Sequence, residues 1–560
     1  MSDKNGDQNG DQTGGQELSK ETVGMIQSEI NRCVENCNHH VLFRGFIPSR
    51  LLFVGDSDSD SPPQPRLVSR GEVMASLNWA SSSATSAGDV LRYAALSYCW
   101  GPPADAQRQC KTERQSLAAH STNGVNAPSM SAVVRDAVVV VRQLGLRYLW
   151  VDCLCIVQDD ERDWRDEAAL MGLVYSNAFV TIVSLASDTC LKGFLAPWAA
   201  MSQIWRTVRV PVENSTLTEG SEGDICFQYS YEFLRDWERS AWSKRGWTFQ
   251  ETKLSTRLVY FGPSRIHFCC DSWLYTSGRS TRGTFERSII DLAVDKETAD
   301  PASELLNFWR WALVPQYSTK RFTVARDKLP AIGGIAKLVG DITGFGYAAG
   351  LWTPHLHVDL AWHSPPQPVH LSLESLIQSL RPSDEDFIAP SWSWARFPTT
   401  ECAWFWIGNL AGKNVVAEVK GLRAEVDLIE TVSSNPYGQI RGGVVRMEAR
   451  TLDILQGESC SQRPYSAVGQ NLFFADWDVE GGGEEEGKCA DNDVELALIG
   501  SYTATFERAQ ETEERRYYGL MIYSAGSPGR YFRVGIFDVP EESEYGVEFK
   551  SAEWREIELL

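Results

Sequence analysis

Between residues 93 and 270, short apolar runs alternate with amphipathic stretches. Residues 93–100 (YAALSYCW) are apolar enough to predict a buried strand. Over 131–144 the apolar positions Val133, Ala137, Val140 and Leu144 recur at helical spacing, and Gly145 supplies a stop. Residues 148–156 (YLWVDCLCI) are apolar on both faces, which predicts a strand inside a parallel sheet. A second helix is predicted over 160–177, with Trp164, Ala168, Met171, Val174 and Ala178 spaced by three and four. Residues 179–186 (FVTIVSLA) follow as another strand. Strand, helix, strand, helix, strand at this spacing predicts right-handed crossovers and a parallel α/β sheet.

Further along, the pattern changes. Residues 303–342 look helical around LLNFWRWAL and DKLPAIGGIAKLVGDI. From about Ala403 helical periodicity fades, and 415–429, 443–455, 494–506, 517–523 and 531–539 predict strands. The first twenty residues are almost free of apolar side chains and are predicted to be disordered. Turn-rich punctuation falls at 56–65, 364–368 and 481–487. The resulting organisation is a disordered tail (1–20), an N-terminal extension (21–92), an α/β domain (93–280), a helical or mixed segment (281–400) and a β-rich C-terminal region (401–560).

Composition narrows the functional classes. The chain has 560 residues, 43% of them hydrophobic, enough for large cores. Its net charge of −21 repels phosphate backbones, so no nucleic-acid partner is predicted. No basic segment followed by an apolar one opens the chain, and the apolar runs at 137–141 and 179–186 fall short of the roughly 20 residues a membrane span needs. A cytoplasmic protein with no membrane span is expected. Thirteen cysteines without a repeating framework predict buried thiols and not disulfides. Twenty tryptophans predict either large cores or an adhesive interface.

Three segments together resemble the fungal heterokaryon-incompatibility (HET) domain family. Residues 93–101 (YAALSYCWG) are similar to the opening LSY-x-WG block. Residues 148–182 (YLWVDCLCIVQDDERDWRDEAALMGLVYSNAFVTI) resemble the central LWID-x-LCI-x-Q block and the helix after it. Residues 240–257 (SAWSKRGWTFQETKLSTR) resemble the RGWT-x-QE-x-x-LS-x-R block. Val151 stands where the family usually has Ile, and Cys153 where Ser is common, both tolerable in volume. Weaker likeness continues at 347–352 (YAAGLW) and 390–395 (PSWSWA). The resemblance implies a fungal effector of nonself recognition that promotes programmed cell death. It also implies a fold likened to the TIR domain, a flavodoxin-like parallel sheet. Some TIR domains cleave NAD, so NAD or a related nucleotide enters as a substrate, with no cofactor assigned.

Ligands of open parallel sheets sit beyond the carboxyl ends of the strands. There Trp100 could stack on a base, Gly101 could let a ligand approach the backbone, and Gln158 follows the second strand. The other reading is a tight turn and a core tryptophan. NAD-cleaving TIR domains place Glu four residues after Trp on a helix, and Trp247 and Glu251 show that spacing. Glu251 is the first candidate carboxylate for an oxocarbenium-like transition state, and Glu167, three residues after Trp164, the second. Against this, Trp247 could be core and Glu251 the ion-pair partner of Arg245 or Lys244. Asp152, set in an apolar strand, is either a functional carboxylate or a structural one bonded to backbone, Arg245 or Arg257.

Cys153 and Cys155 alternate onto one strand face, and core packing is the favoured reading for them and for Cys269–Cys270. Cys33, Cys37, His39 and His40 form a zinc-like cluster of irregular spacing that is read as an ordinary polar loop, so no metal is assigned. His355 and His357 are taken as structural residues of a strand. Phosphate-loop, G-x-G-x-x-G, H-E-x-x-H and G-x-S-x-G motifs are absent. Two mechanisms stay open: nucleotide hydrolysis, or a non-enzymatic adaptor acting through protein partners or self-association. A divergent member without toxic activity is the third possibility.

Overall fold

The computed structural model describes residues 17–37, 39, 45–55, 63–76, 91–195, 232–263, 265–277, 300–363, 377–381, 383, 386–397, 403–404, 415–428, 435–453, 474–477, 494–506 and 512–560. It divides into two compact units. Unit 1 comprises Met1–Lys244 and Glu251–Arg287, and unit 2 comprises Arg245–Gln250 and Ser288–Leu560.

Unit 1 is built on an eight-stranded mixed sheet. Its strands are β1 (Arg50–Phe53), β2 (Arg66–Ser69), β3 (Ala94–Ser97), β4 (Tyr148–Trp150), β5 (Val180–Ser184), β6 (Arg257–Phe261), β7 (Ile266–Cys270) and β8 (Leu274–Thr276). Their spatial order is β2-β1-β4-β3-β5-β6-β7-β8. The central four run parallel, with Ala94 opposite Leu149 on one side and Val180 on the other. The flanking strands are antiparallel, which corrects the all-parallel expectation. Short connections join β6 to β7 and β7 to β8, a route open to antiparallel neighbours but not to parallel crossovers.

The helices Ala132–Gln143 and Glu161–Asn177 follow β3 and β4 as the apolar periodicity predicted. Val133, Ala137 and Val140 are buried, and Gly145 at φ +77° lies just past the first helix. The second helix opens on Asp160, whose carboxylate accepts from the amides of Arg162 and Asp163 at 3.1 and 3.3 Å. Two buried tyrosines fasten this helix to β3. Tyr93 Oη donates to the carbonyl of Val174 at 2.6 Å, and Tyr175 Oη donates to that of Leu96 at 3.1 Å.

The run at 148–156 is not one strand. The strand stops at Trp150 and a helical turn covers Asp152–Cys155. The Asp152 carboxylate accepts from the amide of Cys153 at 2.6 Å, which opens that turn. Cys153, Leu154 and Cys155 are all buried, so a strand and a buried helical turn present the same apolar run. The two cysteines therefore sit on a turn and not on a strand face.

Unit 2 begins, among the described residues after 288, with the helix Pro301–Phe308, a π-turn at Trp309–Leu313 and the helices Val314–Ser318 and Pro330–Thr343. A hairpin pairs Tyr347–Ala348 with Leu351–Trp352. At its tip, Gly350 adopts φ +100° and its carbonyl accepts from both Trp309 Nε1 and Trp394 Nε1 at 3.2 and 3.0 Å. Trp309, Trp352, Trp362, Trp392 and Trp394 are fully buried, so at these positions tryptophan builds core. His355 and His357 lie in a helical stretch, Thr353–His355 and Leu356–Asp359, and not in the predicted strand.

The C-terminal sheet includes Lys420–Leu428, Ile440–Asp453, Val494–Phe506, Thr512–Ser524, Arg530–Pro540 and Trp554–Leu559. Starting at Val494–Phe506, the pairing runs through Thr512–Ser524, Arg530–Pro540, Trp554–Leu559 and Ile440–Asp453 and returns to its start. Five strands thus close into a ring with a single parallel pair. Lys420–Leu428 pairs with Ile440–Asp453 outside that ring. The punctuation at 364–368 and 481–487, most of that at 56–65, His40 and the first sixteen residues lie outside the described residues. Among the described residues, no helix is long and apolar enough to cross a membrane.

Candidate functional site

The chain leaves β3 at Ser97, goes to β4, and then returns past β3 to form β5 on the other side. Such a reversal opens a crevice at the carboxyl ends of the two diverging strands. Trp100 and Gly101 follow β3 here, and Thr189 and Cys190 follow β5. The Cys190 amide donates to the Trp100 carbonyl at 3.3 Å. Gly101 holds φ +85°, and a Cβ there would stand 2.6 Å from Thr189 Oγ1. Glycine is thus required both by the backbone conformation and by the close approach of Thr189.

Trp100 and Asp152, from two of the three motif blocks, meet directly. Trp100 Nε1 donates to Asp152 Oδ2 at 2.8 Å. Gln158 Nε2 donates to the backbone carbonyls of Asp152 and Ile156 at 3.1 and 3.2 Å, and the Gln158 amide donates to the Thr112 carbonyl at 2.8 Å. Lys111 Nζ stands 5.0 Å from the centre of the Trp100 ring, a cation over the aromatic face. Trp100, Asp152 and Gln158 are half-buried, and Gly101 is exposed. The groups of this rim are hydrogen-bonded to one another and so oriented.

Glu251 takes a different place. It is 6% exposed and accepts a short hydrogen bond from Ser97 Oγ, at the end of β3. Ser97 Oγ in turn accepts from Nε1 of the fully buried Trp242 at 2.7 Å. Neither Ser97 nor Trp242 was singled out by the sequence, although both stand inside motif blocks. Glu167 is 4% exposed, and burial raises its carboxyl above the usual range. Its Oε1 lies 3.6 Å from Arg50 Nη2, which also contacts both oxygens of Asp163 at 2.5 and 2.6 Å. Arg50 Nε donates to the Cys155 carbonyl at 2.6 Å, so this cluster ties β1 to the turn after β4.

Arg245 and Trp247 belong to unit 2. The backbone of Arg245 forms an isolated parallel β-bridge with that of Arg321, and Trp247 Nε1 donates to Asp327 Oδ2 at 3.1 Å. Burial raises the Asp327 carboxyl. Phe249 packs on Tyr317 with ring centres 5.3 Å apart, and Gln250 Oε1 accepts from the Gly334 amide at 2.6 Å. Trp247 and Glu251 share the helix Trp247–Leu254, but their indole and carboxylate have different partners.

Two further polar groups lie at the carboxyl end of β5. Ser184 and Ser187 are buried, and among the described residues neither hydroxyl has a hydrogen-bond partner. Serines inside the run at 179–187 (FVTIVSLAS) were the available signal. Elsewhere in unit 1 the structure gathers Cys33, Cys37, His39 and Cys270, of which the sequence grouped only the first three.

Residues 93–251 match the family model described as heterokaryon incompatibility protein (HET). No curated protein matches the chain. No solved structure matches it. Three of the four parallel strands and the Trp100–Asp152 rim lie within the matched stretch, and so does the Ser97–Glu251 contact: residues 93–251 of this chain are similar to the HET domain of heterokaryon incompatibility proteins.

Proposed function

We propose that the chain is a fungal effector of nonself recognition that triggers programmed cell death by assembling with protein partners or with itself, acting in the cytoplasm. The observation that carries this reading is the fixation of Glu251. A carboxylate serving a ribosyl centre must reach the anomeric carbon. Glu251 is buried and committed to Ser97 and, through it, to Trp242. Glu167 is likewise held in the Arg50–Asp163 cluster. These are roles in holding the sheet together.

The test is expression of the full chain in a fungal host. Glu251→Gln keeps an acceptor for Ser97, so it should arrest growth as the unchanged chain does, with cellular NAD constant until arrest. Nicotinamide release by purified protein, lost in Glu251→Gln at an unchanged melting temperature, would sink the assembly reading.

A second reading is nucleotide binding or hydrolysis. It is supported by the strand order of the parallel core, in which the first strand stands between the second and third, as in TIR and flavodoxin-like sheets. Ser184 and Ser187, buried and unpartnered at the carboxyl end of β5, favour it further. In that reading Trp100, Gly101, Asp152 and Gln158 hold the ligand.

A further inference from the structure

The N-terminal helix Lys20–Asn36 ends against β7, and the two elements meet at sulfur. Cys33 lies in the last helical turn and is fully buried. Cys37 is the C-cap, its amide donating to the Cys33 carbonyl at 3.0 Å, so the two thiols stand one turn apart. His39 follows two residues later. The fourth member, Cys270, closes β7 more than two hundred residues downstream. One ligand atom from each of these four residues lies within 4.8 Å of the other three.

Tetrahedral zinc with bonds of about 2.3 Å to sulfur and about 2.0 Å to nitrogen sets its ligand atoms about 3.5–3.8 Å apart. His39 Nε2 is already 3.1 Å from Cys33 Sγ. The remaining separations need to close by no more than about an ångström.

Two surrounding groups fit a metal centre. His39 Nδ1 faces Asp271 Oδ2 at 3.7 Å, and a carboxylate on the far ring nitrogen is the usual means of orienting a metal-bound imidazole. Arg257 Nη1 stands 3.8 Å from Cys33 Sγ. Three thiolates around a divalent ion leave one excess negative charge, which this guanidinium offsets.

We propose that Cys33, Cys37, His39 and Cys270 form a structural Cys3His zinc site that fastens the N-terminal helix to β7. All four positions are filled by protein, which leaves none open for a substrate. On binding, each thiol gives its proton to solvent and the imidazole coordinates as the neutral base.

The full chain, expressed with zinc present and purified without chelator, is expected to carry one zinc per chain by elemental analysis. Cobalt exchanged into it should show thiolate-to-metal charge transfer and the intense visible bands of a tetrahedral ion. The double variant C33S/C270S should lose at least nine-tenths of the metal, while C110S, outside the cluster, should retain it. Should the double variant fail to fold, thiol counting on the unchanged chain decides: chelation should free three thiols to a disulfide reagent. Metal-free protein after zinc-replete expression, a Cys33–Cys270 disulfide, zinc retained in a folded C33S/C270S chain, octahedral cobalt bands or no gain of thiols on chelation would overturn the proposal.

Discussion

Trp100 Nε1 donates to Asp152 Oδ2 at 2.8 Å, joining the end of β3 to the turn after β4. The same carboxylate accepts from the Cys153 amide. One side chain therefore satisfies an indole and opens a helical turn. Asp152→Ala removes both bonds and should lower stability by about 2–3 kcal/mol, as expected for hydrogen bonds to a charged group. Asp152→Asn keeps an acceptor and should cost less than half of that. Denaturant titrations of the three proteins, read through tryptophan fluorescence, check the ranking; equal losses for Ala and Asn would contradict it.

Glu251→Ala should lower stability by about 1–3 kcal/mol, because it strips the buried Ser97 hydroxyl of its acceptor. Ser97→Ala removes the donor instead and leaves Trp242 Nε1 without its acceptor. The double variant should lose less than the sum of the singles, since both remove one network. Thermal melts of the set test this, and strict additivity would show that Ser97 and Glu251 are not coupled.

Gly101→Ala forces a Cβ onto backbone at φ +85° and to 2.6 Å from Thr189 Oγ1. The conformational cost alone is about 1 kcal/mol, and displacing Thr189 adds to it. Thr189 Oγ1 donates to Asp105 Oδ2 at 2.6 Å, so displacement also breaks that bond. Thr189→Gly in the Gly101→Ala background should restore part of the lost melting temperature. No restoration would mean that the strain is wholly in the backbone.

Burial, with smaller contributions from the charges of His355 and Arg310, lowers the His357 imidazole from 6.5 to about 4. The unfolded chain then binds this proton at a higher pH than the folded one. Stability from this group is complete above about pH 6.5 and falls as the pH drops toward 4, by up to about 3 kcal/mol. His357→Gln cannot take up the proton and should flatten the acid side of a stability–pH curve between those values. An unchanged slope would place the acid sensitivity elsewhere.

Three strands of the parallel core were legible because they are buried on both faces and the helices between them carry one apolar stripe, whereas β6, the fourth, was not read as a strand. The two antiparallel edges were harder to read. β1 and β2 are four residues each, too short for a period to register. The break at Val151 was invisible for a different reason: an apolar strand and a buried helical turn satisfy the same composition. Trp100 and Gln158 drew attention because they follow apolar runs in motif blocks, and Asp152 because a carboxylate interrupts such a run. The Trp247–Glu251 spacing was real, yet helical spacing fixes only a shared side and says nothing about partners. Cys270 was beyond reach, since no local pattern relates it to Cys33; the fold alone joins them.

The ring of strands in unit 2 bears on how this protein avoids self-pairing through its backbone. Among the described residues, the circuit closes by pairing Arg530 and Tyr531 with Glu558 and Leu559, and Thr451, Leu452 and Asp453 with Ala497, Leu496 and Glu495, so these stretches of backbone are already taken. The long strand outside that circuit, Lys420–Leu428, exposes Lys420 and carries Arg423, Glu425 and Asp427 at alternate positions. Charges so placed discourage an incoming strand. Along this strand the C-terminal sheet is thus guarded against fibre-like aggregation.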